Sequence, residues 1–183
     1  PDGRIFQVEY AGKAVDNAGT ALGVLCSDGI VLAVQRELSA KMLVAGSASQ
    51  RRIHKVDDHV GVGFTGAPAD GRQVVNRAAE ECVSYRDTYG VPIPGHVLAE
   101  RLSQYVHYFT LHGALRPFGS SVIVAAFDED ADDFGLYMVD PSGMHYKYYG
   151  CAAGKGRASA KTELEKVDNA GMTVKEGVKE LAR

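Results

Sequence analysis

Cysteine is scarce and scattered in this sequence. Cys26, Cys82 and Cys151 are an odd number, far apart, with no Cys-x-x-Cys pair. That spacing offers no disulfide framework and no thiolate metal site, so reduced, mostly buried thiols are expected. Long apolar runs are missing too. None approaches the length of a membrane span, and no charged-then-apolar leader resembles a secretory signal. Charge of one sign is also lacking: 20 basic against 23 acidic residues give a formal charge of -3. No electrostatic case for nucleic acid follows from that balance. We find no internal repeat, linker or domain boundary. Together these absences leave the expectation of a soluble, intracellular, single-domain protein.

What is present suits such a domain. At 183 residues, 45% hydrophobic and 23% charged, the chain can bury a sizeable core. Its 21 glycines fit tight turns between short strands. Near the start, Ile5, Val8, Gly12 and Val15 fall on one face of a helix, with Phe6 and Tyr10 as a second apolar row beside it. Asp2 is placed to cap that helix. So short a helix must lie on something, because its own hydrogen bonds do not sustain it.

Residues 20–26 and 30–35 read as strands joined by Ser27-Asp28-Gly29, a strong hairpin signal. Residues 52–56 and 60–65 make a second hairpin around Asp57-Asp58-His59, while residues 38–50 show weak periodicity. Two helical patterns follow, over residues 69–87 and 96–112, separated by the breaker Gly90-Val91-Pro92-Ile93-Pro94-Gly95. Strands return over residues 121–127, 136–139 and 144–149, the last after the tight-turn sequence Pro141-Ser142-Gly143. Residues 156–167 and 173–183 are again helical. Hairpins imply antiparallel sheets, and helices in blocks imply covering layers. The simplest construction is an α+β fold, a four-layer αββα sandwich of two stacked sheets between two helical layers.

Several motifs invite chemistry and fall short of it. Gly61-Val62-Gly63-Phe64-Thr65-Gly66 spells the dinucleotide fingerprint, but a second helix follows where a parallel strand is needed. Close strand–helix packing is the preferred reading of these glycines, and an oxidoreductase a distant alternative. Residues 150–155 lack the spacing and the Ser/Thr of a phosphate loop. Asp128-Glu129-Asp130-Ala131-Asp132-Asp133 has Asp133 where a calcium loop needs glycine and Val139 where it needs glutamate. It is expected to be a solvated turn. His107 and His112 are five apart, off a common helical face, and no His-Glu-x-x-His exists. No cofactor or metal is called for.

The opening residues Pro1-Asp2-Gly3-Arg4-Ile5-Phe6-Gln7-Val8-Glu9-Tyr10-Ala11 resemble the N-terminal signature of proteasome alpha subunits. Arg116-Pro117-Phe118-Gly119-Ser120-Ser121, Asp140-Pro141-Ser142-Gly143 and Gly150-Cys151-Ala152-Ala153-Gly154-Lys155 agree with it. Tyr149-Gly150-Cys151-Ala152 together with Lys161-Thr162-Glu163-Leu164-Glu165-Lys166 points to one particular type among the seven eukaryotic alpha subunits. The resemblance implies the N-terminal-nucleophile hydrolase fold and a single domain over residues 1–183. Beside the family pattern, the sequence lacks the segment before the first helix and the C-terminal end.

The related beta subunits are threonine proteases whose first residue supplies both hydroxyl and amine. Here the candidate is Thr20, embedded after nineteen residues, so its nitrogen is an amide. Matching the Asp28-Gly29 turn to the beta-type turn puts Gly19, not Thr20, at the nucleophile position. The orienting aspartate then falls on Gln35 and the tuning lysine near Arg52, whose guanidinium stays protonated. A non-catalytic subunit is expected; the alternative is a threonine endopeptidase matured by cleavage before Thr20.

The resemblance implies a place in the seven-membered alpha ring of the 20S core particle, beside other alpha subunits. It also implies contact with the beta ring, docking of regulatory particles or other activators, and a role in ubiquitin-dependent degradation in cytoplasm and nucleus. Pro1 and Tyr10 match the cluster that braces the open gate. Arg52 matches the basic residue of the inter-subunit pocket that receives activator carboxyl tails, where the family usually has lysine; otherwise Arg51 and Arg52 form a solvated strand end. Glu9 is a further activator contact.

Overall fold

The computed structural model describes residues 3, 5–36, 40–44, 46–167 and 171–182. The element order is a helix, four strands, two helices, four strands and two helices, as the sequence pattern leads one to expect. Helix α1 (Phe6–Asp16) leads into strands β1 (Ala21–Cys26) and β2 (Gly29–Val34), which form the Asp28-Gly29 hairpin with Cys26 opposite Gly29. A short 3-10 turn, Ala48–Gln50, precedes β3 (Ile53–Asp57) and β4 (Val60–Gly66). Helices α2 (Pro68–Tyr89) and α3 (Gly95–Leu111) follow. Gly90 ends α2 at φ +75°, the left-handed geometry that glycine accepts without strain. The last block is β5 (Ser120–Asp128), β6 (Asp133–Val139), β7 (His145–Lys147), β8 (Gly150–Ala153), α4 (Arg157–Leu164) and α5 (Val174–Leu181).

The strands form two antiparallel sheets, one in the order β2-β1-β8 and one in the order β3-β4-β5-β6-β7. Alternation along β5 shows how they are used. Val122, Val124 and Ala126 join a cluster with Val62 and Phe64 of β4, Val74 and Ala78 of α2, and Leu98 and Leu102 of α3. Ile123, between them, turns the other way and meets Ala21, Leu136 and Cys151 in a second cluster. A Cβ on Gly23 would lie 2.8 Å from Leu136 Cδ1 and 3.1 Å from Ile123 Cγ2, so a larger residue there would make these side chains shift. A third cluster joins Val24, Cys26 and Val31 to Leu164 beyond α4's first turns, with Met172, Val174 and Leu181 packed against it. Thr173 caps α5 in a reciprocal capping box with Glu176. Among the described residues no helix is long and apolar enough to cross a membrane.

Three expectations need correction. The run 144–149 is not one strand. Tyr148 donates its N–H to Leu136 O (2.8 Å) and still belongs beside β6, whereas Tyr149 O accepts from Leu25 N–H (2.8 Å) beside β1. The chain therefore crosses from one sheet to the other between these tyrosines, and residues 150–153 form a strand of the smaller sheet. Helix α1 begins at Phe6 with Ile5 at its N-cap and no side-chain cap; Asp2 lies outside the described residues. Ile5 is exposed, and the buried row of α1 is Ala11 and Val15, with Val8 and Gly12 half-buried.

Candidate functional site

Gly19 and Thr20 link α1 to β1, and they are held from four directions. The Thr20 N–H donates to Gln35 Oε1 at 3.3 Å, and the Thr20 carbonyl accepts from the Gln35 N–H at 2.7 Å. The Thr20 hydroxyl accepts from the Gly156 N–H at 3.0 Å. Thr65, buried at the end of β4, donates its hydroxyl to the Gly19 carbonyl. Ala18 O accepts from the Lys155 N–H at 2.9 Å. Close packing leaves no space for substituents: a Cβ on Gly156 would sit 2.6 Å from Thr20 Oγ1, and one on Gly154 (φ +95°) 2.5 Å from Gly19 O.

The structure brings together the three positions that sequence matching singles out. Gln35 bonds Thr20, Thr65 bonds Gly19, and next to Thr65 the Gly66 carbonyl accepts from Arg52 Nη1 at 3.5 Å. The Arg52 guanidinium also lies 5.2 Å from the Phe64 ring centroid. Burial first, and the nearby Arg72 second, push its pKa below the usual guanidinium value. The arrangement thus holds an amide, a carboxamide and a guanidinium where an amine, a carboxylate and a lysine would be needed. Neither group adjoining Thr20 can take up its hydroxyl proton at neutral pH.

Sequence reasoning missed Thr65 and Gly156, whose approach to Gly19 and Thr20 arises only on folding. It also missed three paired carboxylates, two of them buried and Asp57 partly so. Asp70, in the first turn of α2, accepts from both Arg116 Nη1 (2.7 Å) and Nη2 (2.8 Å) and from the Gly119 N–H (2.9 Å). Arg116 in first place holds the Asp70 carboxyl below the usual carboxylate range, burial opposing it. Glu81 takes Arg77 and Arg101, and Asp57 takes Arg86 at 2.7 Å. An acidic residue in a helix's first turn is a visible signal for Asp70 alone.

Of the expected contact residues, Tyr10 is exposed on α1, with Lys13 Nζ 5.5 Å from its ring centroid. Glu9 is half-buried on the same helix, and Pro1 lies outside the described residues. Arg52 is not part of a solvated strand end, since Phe64 and Gly66 hold it, whereas Arg51 beside it is exposed. With Val34, Arg36 and Ile53, these two arginines line a cleft of about 340 Å³ at the outer strand β3.

The remaining motifs resolve into structure. Gly61 to Gly66 lie on β4, and α2 and α3 follow in succession. At Gly66 (φ +109°) a Cβ would fall 2.2 Å from Gly119 O, so backbone packing requires that glycine. Residues 129–132 turn between β5 and β6, with Asp132 at φ +48° and the Asp133 carboxylate on Lys147 at 2.7 Å. His107 Nδ1 lies 3.1 Å from Ser142 O and His112 Nδ1 2.9 Å from Tyr108 O. All three cysteines are free and buried.

Comparison with known proteins places this geometry in context. The family model described as "Proteasome subunit" matches residues 15–183. Proteasome subunit alpha type-3 of Oryza sativa subsp. japonica is 52% identical over 183 residues, which cover 100% of this chain and 72% of that relative. Proteasome subunit alpha type-3 of Acanthamoeba castellanii is 52% identical over 183 residues, 100% of this chain and 71% of that protein. The probable proteasome subunit alpha type-7 of Schizosaccharomyces pombe is 47% identical over the same length, with 71% of it covered. Alpha type-3 is the type that the segments around Tyr149 and Lys161 resemble.

Proposed function

Because this chain belongs to the proteasome subunit family, we propose that it is a non-catalytic alpha subunit of the 20S core particle, acting through the contacts it makes. The observation that carries this reading is the Thr20 nitrogen. It is a peptide N–H donating to Gln35 Oε1 at 3.3 Å, and a donor of that kind has no lone pair with which to deprotonate its own hydroxyl. The four-layer αββα arrangement of N-terminal-nucleophile hydrolases is supported by the three stacked apolar clusters.

In this reading α1 serves ring assembly and the gate. Exposed Ile5, Phe6 and Tyr10 on a single short helix favour burial against neighbouring alpha subunits. Pro1 and Tyr10 brace the open gate, Arg52 receives activator carboxyl tails, and Glu9 adds an activator contact. The beta ring lies beneath, and the particle works in ubiquitin-dependent degradation in cytoplasm and nucleus. A guanidinium in place of lysine suits a terminal carboxylate, which it can hold through two parallel hydrogen bonds.

The test is hydrolysis of fluorogenic peptides by the purified chain, read beside its intact mass after exposure to a threonine-directed inhibitor. No hydrolysis attributable to Thr20, no adduct and no cleavage before Thr20 are expected. An adduct on Thr20, together with activity that Thr20→Ala abolishes, would establish an active threonine endopeptidase instead. Native mass spectrometry with partner subunits checks assembly, and a chain that joins no alpha or beta subunit would remove the ring role.

A further inference from the structure

The arginines among the described residues fall into two sets. Arg77, Arg86, Arg101, Arg116 and Arg157 each pair with a carboxylate. Arg36, Arg51, Arg52 and Arg72 have no carboxylate partner among the described residues, and these four are gathered in one place. Arg36, Arg51 and Arg52 line the cleft at β3, with Val34 and Ile53 as its apolar part. Arg72, on α2, is close enough to act electrostatically on Arg52, and its Nη1 donates to Ser49 O at 3.1 Å. In a chain with a formal charge of -3, this concentration of positive charge without a carboxylate partner among the described residues is local. Like charges drawn together raise the energy of the empty site and favour an anion that enters it.

We propose that this cleft binds a peptide end carrying two carboxylates, with Arg52 on the terminal carboxylate and Arg36 and Arg51 on an acidic side chain just upstream. The proposal rests on the reading of Arg52 as a tail-docking residue and adds the selectivity of that site. Arg52 is positioned for its part, because Phe64 covers its face and Gly66 O holds one nitrogen. Arg36 and Arg51 are exposed, and among the described residues no carboxylate holds either. Val34 and Ile53 give the intervening peptide an apolar surface, which suits a peptide better than a bare phosphate.

Fluorescein-labelled heptapeptides ending in hydrophobic-Tyr-x, with Glu or Gln immediately before that end, test this by anisotropy at low salt with core particles assembled to contain this chain. The Glu peptide is expected to bind roughly threefold to tenfold tighter than the Gln peptide. The double variant Arg36→Gln, Arg51→Gln should erase that difference, with little change for the Gln peptide and an unchanged melting curve. Arg52→Ala should weaken both. Failure of either peptide to bind, or indifference to Arg52→Ala, would overturn the docking reading itself. Sensitivity to Arg52→Ala without a Glu preference, or with one that survives the double variant, would overturn only the second carboxylate contact. Equal displacement of both peptides by inorganic phosphate, with no Glu preference, would mark a simple anion site and would likewise overturn it.

Discussion

The contact between Asp70 and Arg116 joins the start of α2 to the loop before β5, and Arg116→Ala isolates its worth. Asp70's side chain is 8% exposed and Arg116's 71%. The substitution leaves a nearly buried carboxylate with the Gly119 N–H as its remaining partner among the described residues. Removing one partner of a fully buried pair costs about 3–5 kcal/mol, but the mostly solvated guanidinium already shares its field with water, so about 1–2.5 kcal/mol is expected. For a domain of this size that corresponds to a fall in Tm of roughly 3–8 °C.

The pH dependence has a definite sign. Arg116 holds the Asp70 carboxyl below the usual range, so the native state favours the ionised form. This contribution is present above the unfolded carboxylate value of about 3.9 and is lost as pH falls through the lower native one. Calorimetric melts at pH 7 and at about pH 3 should therefore show the gap between parent and variant narrowing in acid. Adding Asp70→Asn to the Arg116→Ala chain should recover part of the loss at pH 7, since an amide tolerates that site better than an unpaired charge. A gap equally wide in acid, or a fall below about 1 °C at pH 7, would refute the reasoning.

Gly66→Ala combines a left-handed φ with a Cβ 2.2 Å from Gly119 O; a loss of roughly 2–4 kcal/mol is expected by chemical denaturation. Burial pushes the thiols of Cys82 and Cys151 up to about 12. Ellman's reagent at pH 8 should react with them only on unfolding, and full reaction with the native chain would contradict their burial. The same shifts imply stability that is complete below the unfolded thiol value of about 8.5 and declines as pH rises above it, measurable as a falling Tm. Tyr10→Ala, in an assembled particle, should alter activator-stimulated peptide entry while leaving the proteolytic sites untouched; stimulation equal to the parent's would exclude Tyr10 from the gate.

Local chemistry made much of this fold legible. The Asp28-Gly29 turn fixes the β1–β2 register, and the Gly90 to Gly95 breaker separates α2 from α3 because both signals act within a few residues. The same turn lines up Gly19, Gln35 and Arg52, so the mismatch of that corner with a terminal amine, an aspartate and a lysine could be read before folding was considered. What stayed hidden depends on distant partners. Nothing local distinguishes Tyr148 from Tyr149, yet Leu136 claims one and Leu25 the other. Asp70, Glu81 and Asp57 look like ordinary charges on helices and turns until Arg116, Arg101 and Arg86 arrive from elsewhere in the chain. Arg52 reads as a solvated end until Phe64 slides beneath it.

The smaller sheet also has a bearing on synthesis. Its hairpin, β1–β2, leaves the ribosome before the strand that pairs with β1 on the other side, β8, and Val174 N–H reaches Asp28 from 146 positions away. Until those late residues emerge, one edge of β1 and the apolar side chains of Val24, Cys26 and Val31 have no native cover. A nascent chain therefore carries an open, sticky hairpin until β8 has been made, a state in which wrong strands compete for the vacancy. The cost of this topology falls on the growing chain, before β8 closes the sheet.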